Sequence, residues 1–171
     1  MRQLKKIALT LILSAGVFLQ SCGIYSFSGA SIPPDMKTVT VNFFENSAPL
    51  VVPYLSQQFT ERLKERIRNQ SRLGIVRSDG DGIFEGRITG YSITPVAITG
   101  DQRAGLNRLT VTVNVKFTNS LNPDLSFEQS FSRYQDFSIE GRSIQAQEPE
   151  LIRLINDQLT EDIFNRAFAN W

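Results

Sequence analysis

From Leu109 to Phe117 the chain alternates without a fault, with Leu109, Val111, Val113, Val115 and Phe117 apolar and Thr110, Thr112, Asn114 and Lys116 between them. Successive side chains on a strand point to opposite faces, so this run fits a sheet that is dry on one side and polar on the other. A helix would scatter the five apolar residues around its circumference. A sheet with one dry face must bury it against another layer, and the remaining sequence has to supply that layer.

The flanking segments extend the sheet. Val39, Val41 and Phe43 alternate with Thr38, Thr40 and Asn42, a first half-buried strand. Leu73 to Arg77 is a short strand, and the Asp79-Gly80-Asp81-Gly82 turn after it predicts a hairpin, because glycine tolerates positive φ and aspartate bonds its own backbone. Ile83 to Thr99 alternates again, but its apolar phase slips at Gly90, from Phe84 and Ile88 to Tyr91 and Ile93, the pattern of a bulge. Pro95 puts that end of the strand at an edge or beyond the ladder. After the turn formers of Asn119 to Asp124, Leu125, Phe127, Phe131 and Phe137 resume the alternation, predicting a long antiparallel hairpin.

Two segments change period and furnish the second layer. Leu55, Phe59, Leu63 and Ile67 recur every four residues, with Glu61, Arg62, Lys64, Glu65, Arg66 and Arg68 on the other faces, so a helix is expected over Val52 to Gln70. A stripe this narrow, opposite balanced charge, suits packing on a sheet, whereas an interfacial helix carries a wide apolar face and excess basic charge. A second helix is expected to open near Glu148-Pro149-Glu150, with Leu151, Leu154, Ile155, Leu159, Ile163 and Phe168 inward. The element order predicts an α+β domain, a mostly antiparallel or mixed sheet of four to five strands covered on one face by two helices.

The start of the chain has another character. Arg2, Lys5 and Lys6 precede an apolar run from Ile7 to Leu19 that lacks any acid, the profile of a signal peptide. As a helix the run reaches roughly 20 Å, short of the ~30 Å hydrocarbon core of a bilayer. Leu19-Gln20-Ser21-Cys22 resembles a lipobox ending on the cysteine that takes the lipid, with Gln20 departing from the usual pattern. Cys22 is the only cysteine among 171 residues, so no intramolecular disulfide can form, and lipidation gives this thiol a use. Residues 1–21 are therefore expected to be a cleaved signal peptide. Residues 22–37, broken by Ser26, Ser28, Gly29, Ser31 and the Pro33-Pro34 pair, form a tether, and residues 38–171 form one domain. Gly23 after the cysteine, and the absence of an acidic run behind it, favour an outer-membrane lipoprotein facing the periplasm.

Chemistry narrows the function. Histidine is absent, which excludes Ser-His-Asp and Cys-His sites and histidine-ligated zinc. The acid pairs Asp79 with Asp81 and Glu148 with Glu150 each sit where a turn or a helix start explains them, and no phosphate-cradling glycine motif occurs. Neither an enzyme, a cofactor nor a metal site is expected. Without residues 1–21 the chain keeps 15 basic residues against 17 acidic ones, a net charge of −2, which does not suit nucleic acid.

Cys22-Gly23-Ile24-Tyr25-Ser26-Phe27, then Ile32-Pro33, then Met36 to Val41 and an amphipathic helix, is similar to the start of the LptE family of lipopolysaccharide-assembly lipoproteins. Downstream the resemblance rests on element order. It implies a lipoprotein that sits inside an LptD β-barrel, assists its assembly and helps pass lipopolysaccharide to the outer leaflet. It also implies basic residues near one end of the sheet that meet lipopolysaccharide. No family motif places them, and the loop Thr99 to Arg108 suggests Arg103 and Arg108 first, since arginine suits bidentate phosphate contacts. Arg87, Lys116 and Arg133 join them if the strands set them on one solvent face. Each of these charges equally fits a solvated residue that guards a strand edge. Two other readings are a lipid carrier, if Phe43, Phe59, Phe117, Phe127, Phe131 and Phe164 line a void, and a pilot or adaptor for a secretion channel.

Overall fold

The computed structural model describes residues 32–96, 106–139 and 141–169. The sheet contains β1 (Thr38–Val41), β2 (Glu45–Asn46), β3 (Gly74–Val76), β4 (Gly82–Pro95), β5 (Leu106–Asn119) and β6 (Phe127–Ser138). The helices are α1 (Leu55–Gln70) and α2 (Ile144–Phe168), and one 3-10 turn, Pro123–Leu125, lies between β5 and β6. The strand order is β3-β1-β4-β5-β6, with two-residue β2 pairing alongside β4. The architecture is the expected α+β sheet-and-helix layer, with six strands among the described residues where four to five were expected.

The sheet has two halves. β4, β5 and β6 form the antiparallel meander that alternation predicts, and β5 to β6 keeps one register from Leu106↔Ser138 to Phe117↔Phe127. The bulge expected at Gly90 is present, between Ile88 and Gly90, and Pro95 ends β4. Asn119 fixes the β5–β6 turn, its Oδ1 accepting from the N–H groups of Leu121 and Asn122 at 3.0 and 2.9 Å. Leu125 belongs to the 3-10 turn and not to the strand.

The other half departs from the sequence reading. β1 runs parallel to both β3 and β4 and lies between them, so the expected Asp79–Gly82 hairpin is a crossover. Asp79 does take a positive φ of 57°, but the loop then passes across β1 instead of folding back beside it. At Gly80 a Cβ would stand 2.6 Å from the Thr40 nitrogen and 2.8 Å from the Val39 carbonyl carbon, so only glycine passes there. Gly80 N donates to Thr40 Oγ1 at 3.1 Å. The Asp81 carboxylate accepts from Lys37 N, Thr38 N and Thr38 Oγ1 at 2.8, 2.9 and 3.0 Å, and these bonds hold it below the usual carboxylate range.

Strand β1 also ends early. Phe43 does not continue its buried face but is 59% exposed, and Phe44 enters the core in its place. Phe44 N donates to Thr60 Oγ1 at 3.1 Å, and its ring meets Phe59 edge-on at 5.0 Å. The chain has left the strand by then, so alternation no longer decides which side chain turns inward.

Both helices lie on the apolar face, α1 over the parallel half and α2 against β5 and β6. Leu55, Phe59, Leu63 and Ile67 are fully buried, as their spacing demands. Helix α1 starts three residues after Val52, whose carbonyl accepts Leu55 N in the turn containing Pro53. Helix α2 starts at Ile144, well before Pro149, which lies exposed inside it. The Gln147 amide secures this start by donating to Ser138 O at 2.9 Å and Arg142 O at 3.3 Å. Ile152 is buried and Leu154 only half-buried, reversing the expectation for that turn.

The core closes ring on ring. Phe84 packs on Phe117 at 4.6 Å between centroids, and Phe168 meets both edge-on at 5.9 and 5.7 Å. Phe164 contacts Phe168, and Phe127 contacts Phe117 and Phe131. The helices are joined by Arg62 to Asp157 and by Arg66, which donates to Thr160 Oγ1 at 3.1 Å and Asp157 O at 2.9 Å. Glu148 of α2 accepts from two tyrosines, Tyr54 at 2.9 Å and Tyr91 at 2.5 Å, so one carboxylate ties the entry to α1, strand β4 and helix α2 together.

Candidate functional site: the open face of the sheet

The face away from the helices follows from the register of β4, β5 and β6. Thr110, Thr112, Asn114, Lys116 and Thr118 alternate with the buried valines of β5 and so point away from α2. Pairing extends this into rows: Glu85, Lys116 and Glu128; Arg87, Asn114 and Ser130; Ser92, Thr110 and Tyr134; Thr94, Arg108 and Asp136. The rows are polar almost throughout, and no helix covers them among the described residues.

The sequence candidates distribute unequally over the molecule. Arg87, Arg108 and Lys116 lie on this open face. Arg133 lies on the helix side, paired in register with buried Val111, and donates through Nε and Nη2 to Asp162 of α2 at 2.6 and 2.7 Å. Arg103 and Cys22 fall outside the described residues.

Arg108 is a strand residue, not a loop residue. Its Nε and Nη2 donate to Asp136 at 2.7 and 2.9 Å, and its guanidinium stacks 3.7 Å over the Tyr134 ring. The pairing raises the arginine and holds Asp136 below the usual carboxylate range. Lys116 donates to Glu85 at 2.7 Å across the β4–β5 ladder. Arg87 is exposed, and among the described residues no carboxylate pairs with it. It lies in register with Asn114, two residues from Lys116, while Arg108 is eight residues from Lys116, roughly 26 Å at ~3.3 Å per residue. The face thus carries two separate basic points.

Tyr134 escaped the sequence reading although it sits on the polar phase of β6. The β5–β6 register that sets it under Arg108 was the available signal, and it depends on the length of the turn. The acid pairs have structural duties: Asp81 holds β1, Glu148 receives the tyrosines, and Glu150 receives Arg153 Nη2 at 2.7 Å. Among the described residues no helix is long and apolar enough to cross a membrane.

No curated protein matches the chain. Among solved structures, a minor lipoprotein of Acinetobacter baumannii superposes with a TM-score of 0.50 at 14% identity, over 77% of this chain and 91% of that one. A hypothetical protein of Chlamydia trachomatis gives 0.54 at 10% identity, over 79% and 99%. Rare lipoprotein B of Shewanella oneidensis gives 0.47 at 13% identity, over 76% and 90%. At these identities the first two establish a shared fold. The model of the LptE family, described as lipopolysaccharide-assembly, matches residues 36–167, which takes in every strand and nearly all of both helices, and the chain belongs to that family.

Proposed function

We propose that the protein is an outer-membrane lipoprotein, lipidated at Cys22 after removal of residues 1–21, with residues 22–37 as tether and 38–171 as its one domain. It plugs an LptD-like β-barrel, assists the assembly of that barrel, and helps transport and insert lipopolysaccharide. Family membership supports this reading, and the open polar face is the observation that carries it to a mechanism. The interior of a large membrane barrel is polar and wet. A plug for such a lumen needs polar outer surfaces with its apolar residues sealed inside, and the sheet has that division.

Lipopolysaccharide offers phosphates and sugars, for which arginine forks and hydroxyl rows are fitting partners. Arg108 spends Nε and Nη2 on Asp136 and keeps Nη1 for an anion, while Arg87 has its whole guanidinium available. Arg103 and Lys116 complete the proposed basic set. Arg133, directed to α2, is the weakest member. The carrier reading needs a void among the phenylalanines, but Phe59, Phe117, Phe131 and Phe164 are buried in mutual or neighbouring ring contacts, which favours the plug.

The test is recovery of the lipidated protein from detergent-solubilised outer membranes, with identification of what accompanies it. One large β-barrel in near-equal amount, together with lipopolysaccharide, is the expected result. Phospholipid alone would favour a carrier, and a secretin ring would favour a pilot. Within the plug reading, Arg103→Ala with Arg108→Ala weakens lipopolysaccharide binding while the fold survives, since exposed ion pairs add little stability.

A further inference from the structure

Among the described residues β6 is an edge strand, 12 residues long, and it contains no proline and no bulge. Proteins usually blunt edges of that length, because the unpaired main-chain groups can bond another strand. Which groups face outward follows from one bond. Leu106 O accepts Val96 N at 2.8 Å, so the even-numbered residues of β5 bond toward β4 and the odd-numbered ones toward β6. The constant β5–β6 register then leaves the N–H and C=O of Ser130, Ser132 and Tyr134 pointing away from the sheet. Ser138 has the same parity, and its carbonyl does reach outward, to the Gln147 amide.

Beside this edge lies a shallow groove, open to solvent over most of its extent. Gln129, Ser130, Phe131, Ser132 and Arg133 form one wall of the groove, about 520 Å³ in volume, and Asp162, Asn165 and Arg166 of α2 form the other. A strand edge beside a helix is the geometry in which extended peptides add to a sheet. The groove also has a charge preference. Arg133 is matched by Asp162, whereas Arg166 lies 4.5 Å over the Phe127 ring and has no carboxylate partner among the described residues.

We propose that the β6 edge is a strand-addition site, and that its occupant is an extended, acid-bearing segment of the barrel partner, paired through Ser130, Ser132 and Tyr134 with its acid on Arg166. The inference rests on the barrel-plug reading and adds the mode of contact. Main-chain pairing positions a partner without demanding much of its sequence, and Arg166 selects the sign of its charge.

The experiment uses the full-length chain, alone and co-purified with the barrel. Residue-resolved hydrogen exchange compares the amides of Ser130, Ser132 and Tyr134. Slowing by roughly tenfold or more in the complex is expected, the scale of one main-chain hydrogen bond or better. A complex in which these amides exchange as they do in the lone chain overturns the edge proposal and leaves the plug reading standing. Failure to recover any barrel overturns both.

Variants separate main chain from side chain. Ser132→Pro deletes an outward donor and weakens the complex, whereas Ser132→Ala, which keeps the outward N–H and loses the side-chain contact to Thr112, weakens it far less. Arg166→Glu weakens it as well. Equal affinity of the Ser132→Pro variant, shown by its melting curve to be folded, overturns the proposal. If that variant does not fold, the exchange data on the wild-type chain decide.

Discussion

One strand, β5, separates two environments that respond differently to change. On the helix side Leu109, Val111, Val113, Val115 and Phe117 are all fully buried. On the other side Thr110, Thr112 and Asn114 sit half-exposed among hydroxyls and amides. The buried face holds the stability, because its side chains have exchanged water for packed neighbours. The open face adds little and is therefore free to be shaped for a partner.

The largest expected effect is on the covered face. Phe117→Ala leaves Phe84, Phe127 and Phe168 without their shared neighbour and should cost about 3–5 kcal/mol in denaturant titration. Gly80→Ala tests whether the comparison extends to the parallel half, where the loop crosses β1. The new methyl meets backbone at under 3 Å, and a loss of about 1–3 kcal/mol or more is expected in the same titration. A neutral result would mean that the crossover is loosely packed.

Tyr91→Phe probes the joint between layers and should cost about 1 kcal/mol, near the worth of one hydrogen bond. It also carries a pH signature. Burial, then the hydrogen bond to Glu148, raises both tyrosines above the ordinary phenol value of about 10, Tyr54 to about 12 and Tyr91 further. A raised folded value gives stability that is complete below the unfolded value of about 10 and is lost as pH climbs through the folded ones. The wild-type chain should therefore lose stability above pH ~10, and the variant less steeply, as denaturant titrations near neutrality and at alkaline pH would record. The smallest change is Thr112→Ala, which removes a 3.0 Å hydroxyl contact to Ser132 and should stay within about 0.5 kcal/mol. A loss near that of Phe117→Ala would dissolve the distinction between the faces.

The same two halves explain what was legible in the sequence. The β4–β5–β6 meander could be read because its pairings join neighbours and its alternation is unbroken, and Gly90 announced its bulge. The α1 stripe was equally plain. The place of β1 between β3 and β4 was not legible, because the turn residues at Asp79 to Gly82 serve a crossover as well as a hairpin. Phe43 was misassigned for a related reason, since periodicity carries no information once a strand has ended. Pro149 suggested a helix start, but a side-chain clamp by Gln147 and packing through Leu151 and Ile152 let the helix begin earlier. Among the basic candidates, the phase of β5 sorted Lys116 correctly, while the partners of Arg108 and Arg133 depended on tertiary register.

The position of β1 has a mechanical consequence. The chain enters the sheet through a strand held on both sides, by β3 and by β4, with Asp81 fastening Lys37 and Thr38 at the point of entry. Under the proposed lipid anchor, tension applied at Lys37 along the strand axis loads both ladders together in shear, so they do not peel apart one bond at a time. An anchor joined to an edge strand would unzip under far less force, whereas one joined to β1 would hand its load to the middle of the parallel half.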